Sequence, residues 1–208
     1  MTAILAFAAS GIAFVAGDTK RATAMHPATK VHRWSTSVVF AQAGNGQQLS
    51  ALIGQMMVCR PILGEDLNGL KAAFTQLSKI FHDQALAAQA QSRTPHLVDT
   101  DGTILVADAD SGDIITLDFA TGNCSSPNVL FGAGGVPQLV TEASVRWSAQ
   151  SQSLDLWATD AISACVGATV DWPIDLLIVR PNDLGGALTV QRRHIRGLVG
   201  SGDPNFYK

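Results

Sequence analysis

Short apolar runs separated by turn residues dominate the opening of the chain. Four of these runs are predicted as strands, because continuous apolar stretches are typical of strands covered on both faces. The pair Ser10-Gly11 between the first two runs is a turn signal and favours a hairpin over one continuous helix. The predicted strands cover residues 3–9, 12–16, 31–34 and 38–43.

Two helices are predicted next. The first follows the glycine turn at residues 43–46, and Pro61 is expected to end it because proline cannot continue the helical hydrogen bonding. The second is predicted over residues 66–90, with an apolar stripe at helical spacing. The stripe of the first helix consists of Leu49, Leu52, Ile53, Met56 and Met57.

The rest of the chain repeats the order of strands and then helices. The segment Asp110-Ser111-Gly112 is interpreted as a hairpin turn, because Gly112 and Phe119 stand where a calcium loop needs ligands. An order of strands, two helices, strands, two helices and strands predicts an α+β domain with layers around one core. The later strands are predicted at 103–109, 113–119, 129–131, 176–179 and 187–191, and the later helices from Pro137 and over 154–166.

Composition narrows the class of protein. The chain has 208 residues, 47% of them hydrophobic and 15% charged, which fits one domain spanning 1–208 with a large core. A net charge of −3 gives no electrostatic basis for binding nucleic acid. The three cysteines are at no ligand spacing and are interpreted as reduced thiols, and neither a metal nor a cofactor is predicted. The glycine loop at 132–135 lacks the Lys-Ser/Thr of a phosphate-binding loop.

The uncharged opening segment, residues 2–17, also invites interpretation as a secretion signal or a membrane span. A signal peptide carries its positive charge before the apolar segment, whereas the first lysine here is Lys20. The segment is also shorter than the ~20 residues of a membrane span. We therefore expect a cytoplasmic protein that does not interact with a membrane.

The start of the chain carries candidate chemistry. Removal of Met1 would leave Thr2 with a free α-amine next to its hydroxyl, and the amine can accept the hydroxyl proton. Because the reference pKa of an α-amine is about 8, a useful fraction is neutral at cellular pH. One residue would then supply both the nucleophile and the base.

Four motifs in order give the opening a family resemblance. The chain resembles the start of a proteasome β-type subunit, more closely the bacterial proteasome-like threonine peptidases, and among these the betaproteobacterial proteasome homologues. Lys30 arrives slightly early, which implies a short deletion within residues 19–29. The motifs are the apolar hairpin from Thr2, Ala16-Gly17-Asp18, Lys30-Val31 and Ala43-Gly44-Asn45-Gly46.

The resemblance implies a set of site residues. Thr2 would be the nucleophile, Asp18 and Lys30 its charged partners, and the Gly44 N–H the oxyanion donor. Lys30, as an ammonium close to Thr2, would favour the alkoxide and depress the pKa of the amine. The residues implied to bind substrate are Ala22, Thr23, Gln42 and Gly46.

The resemblance also implies an architecture and partners. The fold would be the four-layer αββα sandwich of N-terminal nucleophile hydrolases, assembled as a homo-oligomeric double ring of six or seven subunits per ring. The substrate would be a peptide or an unfolded protein, and an ATP-dependent unfoldase is the partner that such a ring would take. The side-chain preference at the cleaved bond is left open.

Three positions depart from the family pattern together. Ala133 stands where the family has a serine expected to face the amine, Gly167 where many members have aspartate, and Val170 where they have serine. Two alternatives therefore stay open. One is a ring-forming scaffold of the same fold with little or no hydrolysis, and the other is an N-terminal nucleophile hydrolase acting on an amide other than a peptide.

Overall fold

A computed structural model of the chain describes most of its residues. The described residues are 2–18, 30–44, 46–91, 102–126, 129–147, 153–166, 170, 174–181 and 188–195. Four residues named in the sequence predictions lie outside these ranges: Met1, Ala22, Thr23 and Gly167. The segment 19–29, which is expected to carry a short deletion, also lies outside them.

The elements follow the predicted order, except that the short strand Asn123–Ser125 was not predicted. In chain order they are β1 (Ile4–Ala9), β2 (Ile12–Asp18), β3 (Val31–Arg33), β4 (Val38–Gly44), α1 (Gly46–Leu63), α2 (Leu67–Gln91), β5 (Gly102–Asp108), β6 (Ile114–Asp118), β7 (Asn123–Ser125), β8 (Phe131–Gly134), α3 (Gln138–Trp147), α4 (Leu154–Ser163), β9 (Ile174–Pro181) and β10 (Leu188–Ile195).

Among the described residues the strands form two five-stranded antiparallel sheets. The first sheet has the order β10-β9-β2-β1-β8, and the second has the order β3-β4-β5-β6-β7. The predicted hairpin between β1 and β2 is confirmed. Gly11 takes the positive φ of 80° that its turn requires, which glycine adopts without a steric penalty. This turn pairs Ile4 with Gly17.

Side chains alternate between the two faces of the first sheet, and each face contributes to a separate apolar cluster. Leu5 and Phe14 belong to a cluster that also contains Leu139 of α3 and Trp157 of α4, so these helices cover one face of the first sheet. Ile4 and its neighbours on the opposite face join a second cluster with residues of β3, β4, β5 and β6. The two sheets therefore pack against each other through that face.

The first two helices cover the outer face of the second sheet. Phe40 of β4 packs in one cluster with Leu52 of α1 and with Leu70 and Phe74 of α2, and all four side chains are fully buried. The apolar stripe predicted for α1 is what fills this interface. At about 1.5–3 kcal/mol for each fully buried large apolar side chain, such contacts dominate the stability of the layer.

Among the predicted boundaries, those at Pro61 and at residue 129 were wrong. Pro61 lies inside α1, which ends at Leu63, because proline in a last turn removes only one hydrogen bond and its ring is exposed. The helix ends instead before Gly64, whose φ is 108° and whose N–H donates to the carbonyl of Arg60 at 3.0 Å. The strand predicted at 129–131 begins only at Phe131, where pairing with Phe7 of β1 starts.

None of the helices among the described residues is long and apolar enough to cross a membrane.

Candidate active site

The start of β1 is held against the end of β2. Asp18 accepts a hydrogen bond from the N–H of Ala3 at 2.8 Å through Oδ1, and its own N–H donates to the carbonyl of Ala3 at 3.1 Å. The register explains this contact, because pairing Ile4 with Gly17 puts Asp18 beside Ala3. The hairpin thus brings a carboxylate to the residue that follows Thr2.

Lys30 approaches the same point from the second sheet. Its Nζ donates to Thr2 Oγ1 at 2.9 Å and to Asp18 Oδ2 at 3.2 Å, where it forms an ion pair. The main chain of Lys30 is held by β4, since its carbonyl accepts the N–H of Gln42 at 2.8 Å. Lys30 Nζ is therefore within hydrogen-bond distance of both Thr2 and Asp18, although the three residues lie far apart in the sequence.

The three residues are largely buried. Thr2 and Lys30 are each 7% exposed, and Asp18 is 0% exposed. A buried ammonium is costly unless a carboxylate compensates its charge. Here one Asp18 oxygen accepts from Lys30 and the other from the N–H of Ala3, just before β1. Hydrogen bonds to charged groups are shorter and stronger than neutral ones, so this network orders the first residues of β1.

Gly44 is the last residue of β4. It is exposed, has a φ of 142°, and pairs with Gly102 on β5. Asn45 is outside the described residues, and Gly46 begins α1. The residue before Gly44, Ala43, has its Cβ next to Gly135, which also touches the main chain of Thr2, so the end of β4 reaches the candidate site.

Gln42 does not join Thr2 with its side chain. Side chains alternate along a strand, and Phe40, two residues earlier, faces α1 and α2, so Gln42 shares that face and points away from Thr2. Its Oε1 is buried and has no hydrogen-bond partner among the described residues. A substrate contact by Gln42 would therefore have to use its main chain.

Ala133 lies elsewhere than the resemblance implies. It pairs with Leu5 in the register between β8 and β1, and its side chain packs with Leu5 on the face covered by α3 and α4. Leu5 is three residues along β1 from Thr2, which corresponds to about 10 Å at 3.3 Å per residue. A serine at position 133 would thus not face the amine of Thr2. Val170 packs in the same apolar cluster and is 1% exposed.

Two residues at the site escaped the sequence analysis as functional candidates. Gly135 contacts the Thr2 carbonyl oxygen. Asp175 is a buried acid that pairs with Gly17 in the register of β9 on β2. It lies on the same face of β9 as Leu177, whose side chain packs between the two sheets. An ideal Cβ on Gly17 would lie 3.6 Å from Lys30 Cβ, so Asp175 faces the side from which Lys30 approaches. A single acid among the apolar residues of 174–179 was the signal for Asp175.

Within the described part of the chain no group of three or more histidine, cysteine, aspartate or glutamate residues could hold a metal ion. What the arrangement offers is a hydroxyl that accepts a hydrogen bond from an ammonium, next to a carboxylate that compensates its charge. An ammonium in contact with a hydroxyl oxygen stabilises negative charge that develops on that oxygen. The geometry is therefore suited to activating Thr2 Oγ1 as a nucleophile.

Comparison with known proteins establishes the fold. No family model matches the sequence, and no curated protein matches it significantly. Among solved structures, the chain is similar to the crystal structure of eukaryotic HslV from Trypanosoma brucei, with a TM-score of 0.56 and 18% sequence identity. The similarity covers 86% of this chain and 99% of the HslV chain. The chain therefore has an α+β fold of the kind seen in HslV.

Proposed function

We propose that this chain is a threonine peptidase that hydrolyses peptide bonds with Thr2 as nucleophile, after removal of Met1. The observation that carries the proposal is the contact of 2.9 Å between Lys30 Nζ and Thr2 Oγ1, with Asp18 compensating the buried charge. A lysine that served only as a solvated surface charge would not be buried against a hydroxyl. The likeness to HslV and the proteasome-type motifs of the opening support the same assignment, and the finer likeness to betaproteobacterial homologues rests on the motifs.

The first chemical step forms an ester on Thr2. Oγ1 attacks the carbonyl carbon of the scissile peptide bond while its proton passes to the amine of the same residue, directly or through water. Lys30 stabilises the alkoxide character of Oγ1, and Asp18 keeps Lys30 charged and in place. The amine then returns the proton to the leaving nitrogen, and water hydrolyses the ester to regenerate Thr2.

The Gly44 N–H is the proposed donor to the oxyanion of the tetrahedral intermediate. Loss of one such donor typically lowers the rate by about 10²–10³-fold. Glycine suits this position because its φ of 142° is strained for other residues and because a bare Cα lets substrate approach the main chain. The main chain of Gln42 and Gly46, together with Ala22 and Thr23, completes the proposed substrate site.

The wider assignments belong to the same proposal. The three apolar clusters support a four-layer αββα sandwich, since one lies between the sheets and the other two lie under helix pairs. We propose that one domain spans 1–208, that copies assemble as a double ring in the cytoplasm, and that an ATP-dependent unfoldase supplies unfolded protein. The ring would enclose the active sites and so restrict the substrate to unfolded chains.

One observation favours a second candidate, a scaffold of the same fold with little hydrolysis. Ala133 and Val170 pack in an apolar cluster, so neither supplies a polar group to the amine of Thr2. A retained Met1 would block that amine and make the chain a scaffold whatever the geometry of Lys30.

The intact mass of the purified chain and cleavage of blocked fluorogenic peptides test the proposal together. We expect a mass without Met1, cleavage of peptides in preference to small amides, and a mass increase by one adduct at Thr2 with an epoxyketone inhibitor. Thr2→Ala should abolish cleavage and adduct formation. Thr2→Ser is the matched control, because it keeps the amine and a hydroxyl and should retain at least about a tenth of the rate.

A Thr2→Ala variant that retains half the parent rate would overturn the assignment of the nucleophile. A chain that keeps Met1 and cleaves no peptide would instead establish the scaffold. A preference for small amides over peptides would leave the nucleophile in place and change the substrate class.

A further inference from the structure

Gly135 touches the main chain of the candidate nucleophile. It follows β8 and has a φ of 87°, which L side chains rarely adopt. A Cβ at this position would lie 1.6 Å from the carbonyl oxygen of Thr2 and 2.8 Å from its carbonyl carbon. Backbone atoms cannot rotate away as a side chain can, so any other residue at 135 must displace Thr2 or β8.

The second sheet limits the space around Gly135 as well. The same Cβ would lie 3.3 Å from Cβ of Ala43, which is buried at the end of β4. Gly135 therefore lies between Thr2, which precedes β1 of the first sheet, and the end of β4 in the second sheet. The gap between them has room for a bare Cα and for nothing larger.

We propose that Gly135 is the positioning residue that sets where the Thr2 hydroxyl lies relative to Lys30. The proposal rests on the function proposed above and adds a determinant of its geometry. Among the described residues, Lys30 holds residue 2 through Oγ1, and Asp18 holds the next N–H. The contact at the Thr2 carbonyl is the third point, and three points fix both the position and the rotation of the residue.

The neighbouring Gly134 provides a matched control. A Cβ on Gly134 would meet Cγ1 and Cδ1 of Ile4 at 3.1 and 3.2 Å, and these are side-chain atoms that can shift by a few tenths of an ångström. Its backbone is not in the positive-φ region. Gly134→Ala thus tests general crowding of β8 next to β1 without touching the main chain of Thr2.

The experiment uses a cysteine at position 2 as a reporter that does not depend on hydrolysis. In Thr2→Cys the sulfur replaces the oxygen that Lys30 contacts, and a neighbouring ammonium lowers the pKa of a thiol below its usual value of about 8.5. The pH dependence of alkylation, resolved by peptide mass spectrometry, gives that pKa. Cys124 and Cys165 serve as internal references, because burial raises the pKa of each thiol.

We expect Thr2→Cys to show a depressed thiol pKa at position 2. Adding Gly135→Ala should raise it by about one unit or more toward the usual value, because the thiol moves away from Lys30. Adding Gly134→Ala should leave it nearly unchanged, and Cys124 and Cys165 should titrate alike in all variants. In the Thr2 enzyme, Gly135→Ala should lower kcat by about 10²-fold or more with little change in KM, since a misplaced nucleophile affects the chemical step.

An unchanged thiol pKa in the folded Gly135→Ala variant would overturn the proposal, as would an equal effect of Gly134→Ala. If Gly135→Ala does not fold, Ala43→Val is the alternative variant, because its larger side chain crowds the same gap from β4. It must also raise the pKa of the thiol at position 2. An unchanged pKa in that variant would refute the inference. Absence of peptide cleavage by the parent, with the pKa shifts as expected, would refute the proposed function and leave the role of Gly135 standing.

Discussion

Replacing Lys30 by methionine should destabilise the fold, and the size of the effect can be worked from the burial of its partner. The Lys30 side chain is 9% exposed, and that of Asp18 is fully buried at an Nζ–Oδ2 distance of 3.2 Å. Without Nζ, the Asp18 carboxylate loses its compensating cation and keeps the N–H of Ala3 as a donor. Breaking a buried ion pair from one side costs about 3–5 kcal/mol, because a buried charge is left uncompensated.

The double variant separates charge from packing. Asp18→Asn alone should also cost about 3–5 kcal/mol, since it leaves the Lys30 ammonium buried without this carboxylate. In Asp18→Asn with Lys30→Met neither charge of the pair remains, and the main penalty is a buried side-chain NH2 group that has lost its partner, about 1–3 kcal/mol. We therefore expect the double variant to be at least about 2 kcal/mol more stable than the less stable single variant.

Urea unfolding followed by tryptophan fluorescence measures these differences. Trp34 and Trp157 are buried in different apolar clusters, so the signal reports on both helix-covered layers. Protein concentration must be held constant, because the proposed assembly of copies would add to the apparent stability. If the free energy of unfolding of Lys30→Met lies within about 1 kcal/mol of the parent, the stabilising role of the buried pair is refuted. If the double variant is as unstable as the less stable single variant, the loss comes from packing of the lysine side chain's methylene groups.

Two further substitutions test the site. Lys30→Arg should leave less than about 1% of the cleavage rate, because a planar guanidinium does not fit the buried position of a compact ammonium. A substantial kcat/KM in this variant would mean that only positive charge is needed. Ala133→Ser should change kcat/KM by less than about twofold and destabilise the fold by about 1–3 kcal/mol if its hydroxyl finds no partner among α3 and α4; a clear rise in rate would show that the side chain reaches the amine.

The meeting of Asp18 with the start of β1 was predictable from the sequence because it depends on a local turn. Once the hairpin turns at Ser10-Gly11, the register pairs Ile4 with Gly17 and brings Asp18 to Ala3. The apolar runs indicated which segments are buried strands, and the helical stripe of α1 indicated which of its faces meets the second sheet. These features depend on periodicity over a few residues.

The features that the sequence did not reveal depend on pairing between distant segments. The position of Ala133 follows from the register of β8 on β1, which no local turn sets, and a shift of one residue exchanges the two faces of a strand. Gly135 looked like part of a glycine-rich loop until its contact with Thr2 was known. Pro61 misled because the rule against proline applies to helix interiors and is weaker in a last turn.

Apolar residues at the expected polar positions do not by themselves leave Thr2 loosely held. Its neighbourhood is fixed from three elements: Asp18 on β2 binds the N–H of residue 3, Lys30 before β3 binds the hydroxyl, and Gly135 after β8 abuts the carbonyl. The contact with Gly135 joins one backbone to another, so it costs little side-chain entropy to maintain, whereas a serine hydroxyl must be fixed in one rotamer. Orientation of the proposed nucleophile should then depend on Gly135 and hardly on residue 133. The ranking of the two variants, Gly135→Ala severe and Ala133→Ser mild, is the opposite of what the sequence resemblance alone implies.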